Sequence, residues 1–166
     1  MKIKILPFFL IMIFLVIFFI FYKGLQNTNI YIPKSNIKKD IPSFNVKIFD
    51  TNNEINSEKF YLMNIWASWC LPCREEHLFL MNLKNQRNLE IIGINYKDKK
   101  ENAKKFLNKL GNPYEVILSD NNGTISIEWG AYGVPESFLI QNKKIIKKII
   151  GPINKDIFLE IEKIIE

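Results

Sequence analysis

The sequence predicts an α/β domain, a mixed central sheet with helices on both faces, preceded by one N-terminal transmembrane helix. Three observations carry this. After residue 60, apolar runs of strand length alternate with amphipathic stretches in the order β-α-β-α-β-α-β-β-α, the pattern of a sheet covered on both sides. The last two strands are joined by a short polar link, so the sheet ends in an antiparallel hairpin and is mixed. Ahead of them, ILPFFLIMIFLVIFFIFY (Ile5–Tyr22) runs 18 positions without a charge.

Taken in order, that apolar run comes first. As a helix it rises about 27 Å, close to the roughly 30 Å hydrocarbon core of a bilayer. It is apolar all round, unlike the helix of a soluble core. Lys23, Gly24, Leu25 and Gln26 follow it without the A-x-A pattern of a cleaved signal peptide. Residues 5–22 therefore read as an uncleaved anchor in the lipid bilayer. Lys2 and Lys4 favour a cytoplasmic N-terminus, with the rest of the chain on the other side. Residues 23–40, polar and without periodicity, read as a linker, and the folded domain is expected over 41–166.

Within the domain, IPSFNVKIFD (41–50) alternates as a strand and ends at a turn. FYLMNIWAS (60–68) is a nearly continuous apolar run, as in a strand buried on both faces. The helix after it presents Leu78, Leu80, Met81 and Leu83 to the core. LEIIGINY (89–96) is a second buried strand. KENAKKFLNKLGN (100–112) places Ala103, Phe106, Leu107 and Leu110 on one stripe and stops at Gly111. YEVILS (114–119) is a strand, and a turn and a short helix follow it. ESFLI and KKIIKKII form the hairpin. The last helix turns Ile157, Phe158, Ile161, Ile164 and Ile165 inward.

Composition narrows the function. The chain has 166 residues and a net charge of +6, three of it from Lys2, Lys4 and Lys23. The remainder is mixed in sign. NKKIIKKII reads as a strand with a solvated basic face. No stacking motif or basic helix supports nucleic-acid binding.

The chemistry concentrates in WASWCLPC (66–73), which holds both cysteines and two of the three tryptophans. A c-type haem site needs His after the second Cys; Arg74 stands there. Structural zinc wants four ligands; Cys70, Cys73 and His77 supply three at most. A structural disulfide across so short a loop constrains the unfolded chain little. Redox exchange fits better. Pro72 suits the first helical turn. Cys70 sits at the helix start, where free N–H groups and the dipole favour a thiolate. Cys73, one turn on, is within disulfide reach and is expected to be the less exposed of the two.

With these residues in view, the chain resembles thioredoxin-fold proteins. More narrowly, it resembles the membrane-tethered thiol–disulfide oxidoreductases of cytochrome c maturation, the CcmG/DsbE family, over roughly residues 41–166. The resemblance rests on NIWASWCLPCREEH (64–77), GINYKD (93–98), LGNPYEVILSDNNG (110–123) and GAYGVPESFLI (130–140). It implies a thioredoxin-like fold and a redox-active Cys70–Cys73 disulfide, with Cys70 attacking and Cys73 resolving. Trp69 matches the aromatic residue that shields the site, beside Pro72. Pro135 matches a cis-proline facing the C-x-x-C, letting the Val134 backbone pair with a substrate strand.

Asn64 stands where ordinary thioredoxins carry a buried Asp. Glu76 matches the family's active-site glutamate, expected to be desolvated, raised in pKa and the proton carrier for Cys73. Glu136 matches a second acid, expected to tune the pocket's charge and help select a partner. His77 reads as a surface or packing residue, Trp129 as core and Tyr132 as a wall near the pocket. Tyr96 and Asp98 receive no role. Ala131 and Ser137 depart from the common β-branched residue and Thr.

The implied protein is single-pass in the bacterial inner membrane with its C-terminal domain in the periplasm. It would reduce apocytochrome c, or a CcmH-like maturation protein, before haem ligation. Electrons would come from a membrane donor of the CcdA or DsbD type, and no cofactor is needed. The alternatives are a tethered reductase for other extracytoplasmic proteins and a copper-delivery module, which typically uses C-x-x-x-C and a distant His.

Overall fold

The structure, a computed structural model, describes residues 5–26 and 59–166. The predicted linker from 27 to 40 and the strand over 41–50 lie outside the described residues. Helix α1 (Ile5–Gln26) has 22 residues, about 33 Å at the α-helical rise. Its Pro7–Gly24 stretch has a mean hydropathy of 2.3, long and apolar enough to cross a membrane.

The domain's sheet is built from β1 (Phe60–Trp66), β2 (Leu89–Tyr96), β3 (Val116–Asp120), β4 (Glu136–Gln141) and β5 (Lys144–Ile150). Their order is β3-β2-β1-β4-β5. β1 runs parallel to β2, and β2 to β3; β4 is antiparallel to both β1 and β5. The helices are α2 (Leu71–Leu83), α3 (Lys100–Leu110), α4 (Thr124–Glu128) and α5 (Lys155–Ile165). The predicted element order after residue 60 is the one observed.

Strand β1 is buried along its whole length, because both of its faces are covered. Leu62 and Trp66 join one core cluster with Leu80, Leu83, Phe106 and Ile161. Met63 and Ile65 point the other way, to Trp129, Phe138 and Ile140. Alternation puts Asn64 on the Leu62 face, toward α2.

Two helices differ from expectation in which side chains they bury. Leu78 is 67% exposed, while Glu76 and His77 are buried. The inward stripe of α2 is Cys73, Glu76, His77, Leu80 and Leu83, a 3–4 spacing that leaves Leu78 on the far side. In α5, Ile161 and Ile165 are buried, Ile157 and Phe158 pack against the core at their edges, and Ile164 is exposed. Strand β3 also starts two residues later than YEVILS suggests. Tyr114 leaves the strand path, stacks on Trp66 at 5.3 Å and donates its hydroxyl to Asn64 Oδ1 at 2.8 Å.

Gly93 makes that stack fit. A Cβ there would lie 2.8 Å from Trp66 Nε1 and 2.9 Å from Tyr114 ring atoms, inside van der Waals contact. Gly93→Ala is therefore expected to lower stability by about 1–3 kcal/mol and to displace Tyr114. Urea unfolding followed by tyrosine and tryptophan fluorescence measures both; an unchanged midpoint would contradict the packing.

Candidate redox site

The carboxyl end of β1 feeds a tight turn, closed by the Cys70 N–H donating to Ala67 O at 3.2 Å, and α2 starts at Leu71. Cys70 is the N-cap, in extended conformation, with Pro72 in the first turn. The Cys73 N–H donates to Cys70 Sγ at 3.1 Å. An N-cap acceptor of this kind, at the positive end of a helix, is the position that stabilises a sulfur anion.

The two cysteines are joined as a disulfide, Cα to Cα 5.3 Å. The expected difference in exposure does not appear in this oxidised form: Cys70 is 3% and Cys73 2% exposed. Both belong to the core cluster around Trp66. Position distinguishes them instead, because only Cys70 sits at the cap. Trp69 and Leu71 beside them are exposed, so the disulfide lies under an apolar rim.

Glu76 is fully buried. Its Oε1 accepts from Asn64 Nδ2 at 2.9 Å and its Oε2 from the Ile153 N–H at 2.9 Å. Asn64 Nδ2 also donates to Ser137 Oγ at 3.0 Å. Burial pushes the Glu76 carboxyl up to about 7, against the opposing pull of the bonds from Ile153 and Asn64. One turn after Cys73, the helix thus carries an acid that changes charge near neutrality. Tyr114, which closes the network on Asn64, is a member that sequence reasoning missed.

The Val134–Pro135 bond is cis, as the resemblance implied for Pro135. Register explains how this loop meets the cysteines. Ile65, near the end of β1, pairs with Glu136 at the start of β4, so the turn before α2 and the loop before β4 leave the same edge side by side. Val134 packs against the cluster that contains both cysteines. It lies ahead of the β4 ladder, so its backbone is not spent on the sheet.

Glu136, expected to tune the pocket's charge, is buried and paired. It is 2% exposed, and its Oε1 accepts from the Tyr132 and Gly133 N–H groups at 2.6 and 2.9 Å. Its Oε2 is 2.9 Å from Lys148 Nζ. That cation also donates to Gly130 O at 2.7 Å; its contact with Glu136 is an ion pair, Oε2 receiving no directed hydrogen bond. The negative charge is turned inward and matched. Tyr132 is exposed, consistent with a wall of the site.

Asp98, which had no role, braces the cysteine turn. It accepts from Ser68 N at 2.6 Å, Ser68 Oγ at 2.9 Å, Asn95 Nδ2 at 3.0 Å and Lys99 N at 2.8 Å. Partial burial would raise its pKa, but the bonds from Ser68, Asn95 and Lys99 outweigh that and hold it below the usual value. Trp69 Nε1 donates to the neighbouring Lys97 O at 3.1 Å. The signal for this brace was the position of Asp98 just past the end of β2, next to the end of β1.

His77 is a packing residue. Its Nε2 lies 3.0 Å from Gly111 O and its ring meets Phe106 edge-on. Burial lowers its pKa, against the opposing pull of the bond to Gly111. Among the described residues, no cluster of His, Cys, Asp and Glu is arranged to hold a metal.

A match to the Redoxin family spans residues 38–164. The chain is 35% identical over 154 residues to the thiol:disulfide interchange protein DsbE of Allochromatium vinosum, covering 89% of this chain and 85% of that one. It is 50% identical over 95 residues to the thiol:disulfide interchange protein CycY of Rhizobium leguminosarum bv. viciae. That match covers 57% of this chain and about half, 51%, of the relative. A crystal structure of a thiol:disulfide interchange protein of the thioredoxin family from Chlorobium tepidum superposes with a TM-score of 0.56 at 26% identity, covering 65% of this chain and 80% of that one.

The Glu76 shift has a signed consequence. The folded chain keeps a proton on Glu76 that the unfolded chain releases near 4.5. Stability is therefore highest below 4.5 as far as this group is concerned, and falls as pH rises toward about 7. Glu76→Gln removes that slope. Relative to wild type, its stability should improve by about 3 kcal/mol between about pH 5 and about pH 8, over a constant offset from the lost Ile153 acceptor. Parallel slopes in denaturant unfolding of the oxidised proteins would rule this out.

Proposed function

We infer the activity of this chain from the premise that it belongs to the Redoxin family, as a thiol:disulfide interchange protein of the DsbE type. The reaction is the two-electron reduction of a partner's disulfide. In the reduced chain, the Cys70 thiolate attacks one partner sulfur; a mixed disulfide forms, and the other partner sulfur leaves as a thiolate and takes up a proton. The Glu76 carboxylate accepts the proton of the Cys73 thiol. The Cys73 sulfur then attacks Cys70 Sγ, closing the Cys70–Cys73 bond and expelling the second partner thiolate. The partner gains two electrons and the chain loses two. With no third Cys in the sequence, a separate dithiol donor resets the pair.

The observation that carries this reading is the pairing of a capped sulfur with a nearby acid. Cys70 Sγ accepts a helix N–H, and the Glu76 carboxyl, one turn past Cys73, has a pKa of about 7. One group supports the attacking anion, and the other is half-ionised where it must take a proton. Val134 and Pro135, with Trp69 and Pro72 across the edge, receive the partner's strand.

In this reading α1 anchors the protein in the bacterial inner membrane, with the C-terminal domain in the periplasm. The partner is apocytochrome c, whose haem-binding cysteines must be reduced before ligation, or a CcmH-like maturation protein. The donor is a membrane thiol carrier of the CcdA or DsbD type. Glu76, the GAYGVPE loop and LGNPY support cytochrome maturation over general reduction. The C-x-x-C spacing and the lack of a distant His speak against copper delivery.

Cys73→Ala leaves the mixed disulfide unresolved. Expressed in cells and isolated without reductant, this variant should carry apocytochrome c or its maturation partner on Cys70. A broad mixture of secreted proteins on Cys70 would favour a general reductase. Glu76→Gln should slow the resolving step by roughly 100-fold or more near neutral pH, read by stopped-flow release of the partner thiol; an unchanged rate would remove Glu76 from the proton path.

A further inference from the structure

Lys148 lies in the stretch that the sequence presents as a solvated basic face, yet its side chain is only 5% exposed. Strand pairing sets it opposite Phe138. Its ammonium lies 5.4 Å from the Phe138 ring centroid and 4.4 Å from that of Tyr132. From there it reaches diagonally along the same face to Glu136 Oε2 at 2.9 Å and Gly130 O at 2.7 Å. Glu136 in turn accepts the Tyr132 and Gly133 N–H groups. One cation thus touches the start of the 130–135 loop, its aromatic tip and the carboxylate that gathers its middle.

We propose that Lys148 is a positioning residue for partner binding: through Glu136 it fixes the 130–135 loop, and with it the Tyr132 ring and the Val134 backbone beside the disulfide. The inference rests on the reading that a partner strand pairs at Val134. The physical reason is the burial of both charges. Breaking a buried pair from one side leaves the other charge uncompensated. Without Lys148, the Glu136 carboxylate must draw in water, turn outward or take up a proton, and each response weakens its charge-assisted hold on the two N–H groups that shape the loop. The cysteine turn is braced separately by Asp98, so the loss falls on partner capture rather than on the sulfur chemistry.

The test uses the full chain in detergent micelles, reduced beforehand, with two oxidants. One is a short peptide closed by a C-x-x-C disulfide, long enough to pair with Val134. The other is hydroxyethyl disulfide, which has no backbone to pair. Lys148→Met is expected to lower the ratio of peptide rate to small-disulfide rate by about tenfold or more, as a rise in KM with kcat nearly kept. Lys148→Arg should restore most of the ratio. Lys147→Met, whose native Lys pairs with Glu160, should leave the ratio at the wild-type value.

Should Lys148→Met fail to fold, Lys148→Met combined with Glu136→Ala removes the stranded charge together with the acceptor of the two N–H groups and must show the same fall in ratio. An unchanged ratio, or equal loss with both oxidants, overturns the proposal while leaving the reductase reading intact. Failure of the wild-type chain to reduce the peptide overturns both.

Discussion

A carboxyl group sealed from water organises this domain. Glu76 sits on the buried stripe of α2, where an apolar side chain would ordinarily pack. Its two oxygens are met by the Asn64 amide on the central strand and the backbone N–H of Ile153, just before α5. The same Asn64 binds Tyr114 and Ser137. Two strands, a helix and two loops are thereby tied to one another through one buried polar cluster. An amide at position 64 suits this arrangement. A second carboxyl there would put two acids in one dry site, where both cannot ionise cheaply.

The two loops at the reactive edge are held by the same device in different settings. Asp98 gathers the turn before α2 with backbone and hydroxyl donors and stays ionised in partial contact with water. Glu136 gathers the loop before β4 with two backbone donors, but in full burial, and so it is matched by Lys148. In both cases a carboxylate accepts the N–H groups that an irregular backbone leaves unpaired. Both loops are thus held from within without covering their outward faces, where Trp69 and Tyr132 remain exposed.

Much of this was legible in the sequence. The alternation after residue 60, the apolar continuity of β1 and the Pro72 start of α2 each had a local cause that tertiary structure did not override. Cys70 and Cys73 announced themselves by spacing, and Pro135 and Glu76 by the blocks around them. What escaped notice depends on distant partners. Lys148 looks like any strand lysine until Glu136 and Gly130 are placed beside it. Asp98 follows β2, and only the parallel pairing of β1 with β2 brings it to Ser68. Hydrophobicity alone points Leu78 inward, but α2 gives its core face to Glu76 and His77. That choice cannot be seen without Asn64, Ile153 and Gly111 as their hydrogen-bond partners.

The buried glutamate also changes what an electron transfer costs in protons. In the oxidised chain its carboxyl is near half-occupied at neutral pH. Reduction that leaves an anionic sulfur on Cys70 adds a negative charge at the start of the same helix, and a like charge draws the occupancy of a carboxyl up. Each pair of electrons therefore arrives with a fractional number of hydrogen ions, and that fraction varies across neutrality. A dithiol couple already takes up protons with its electrons, and to that ordinary dependence on acidity the carboxyl adds a further step, set by a side chain that is never itself oxidised.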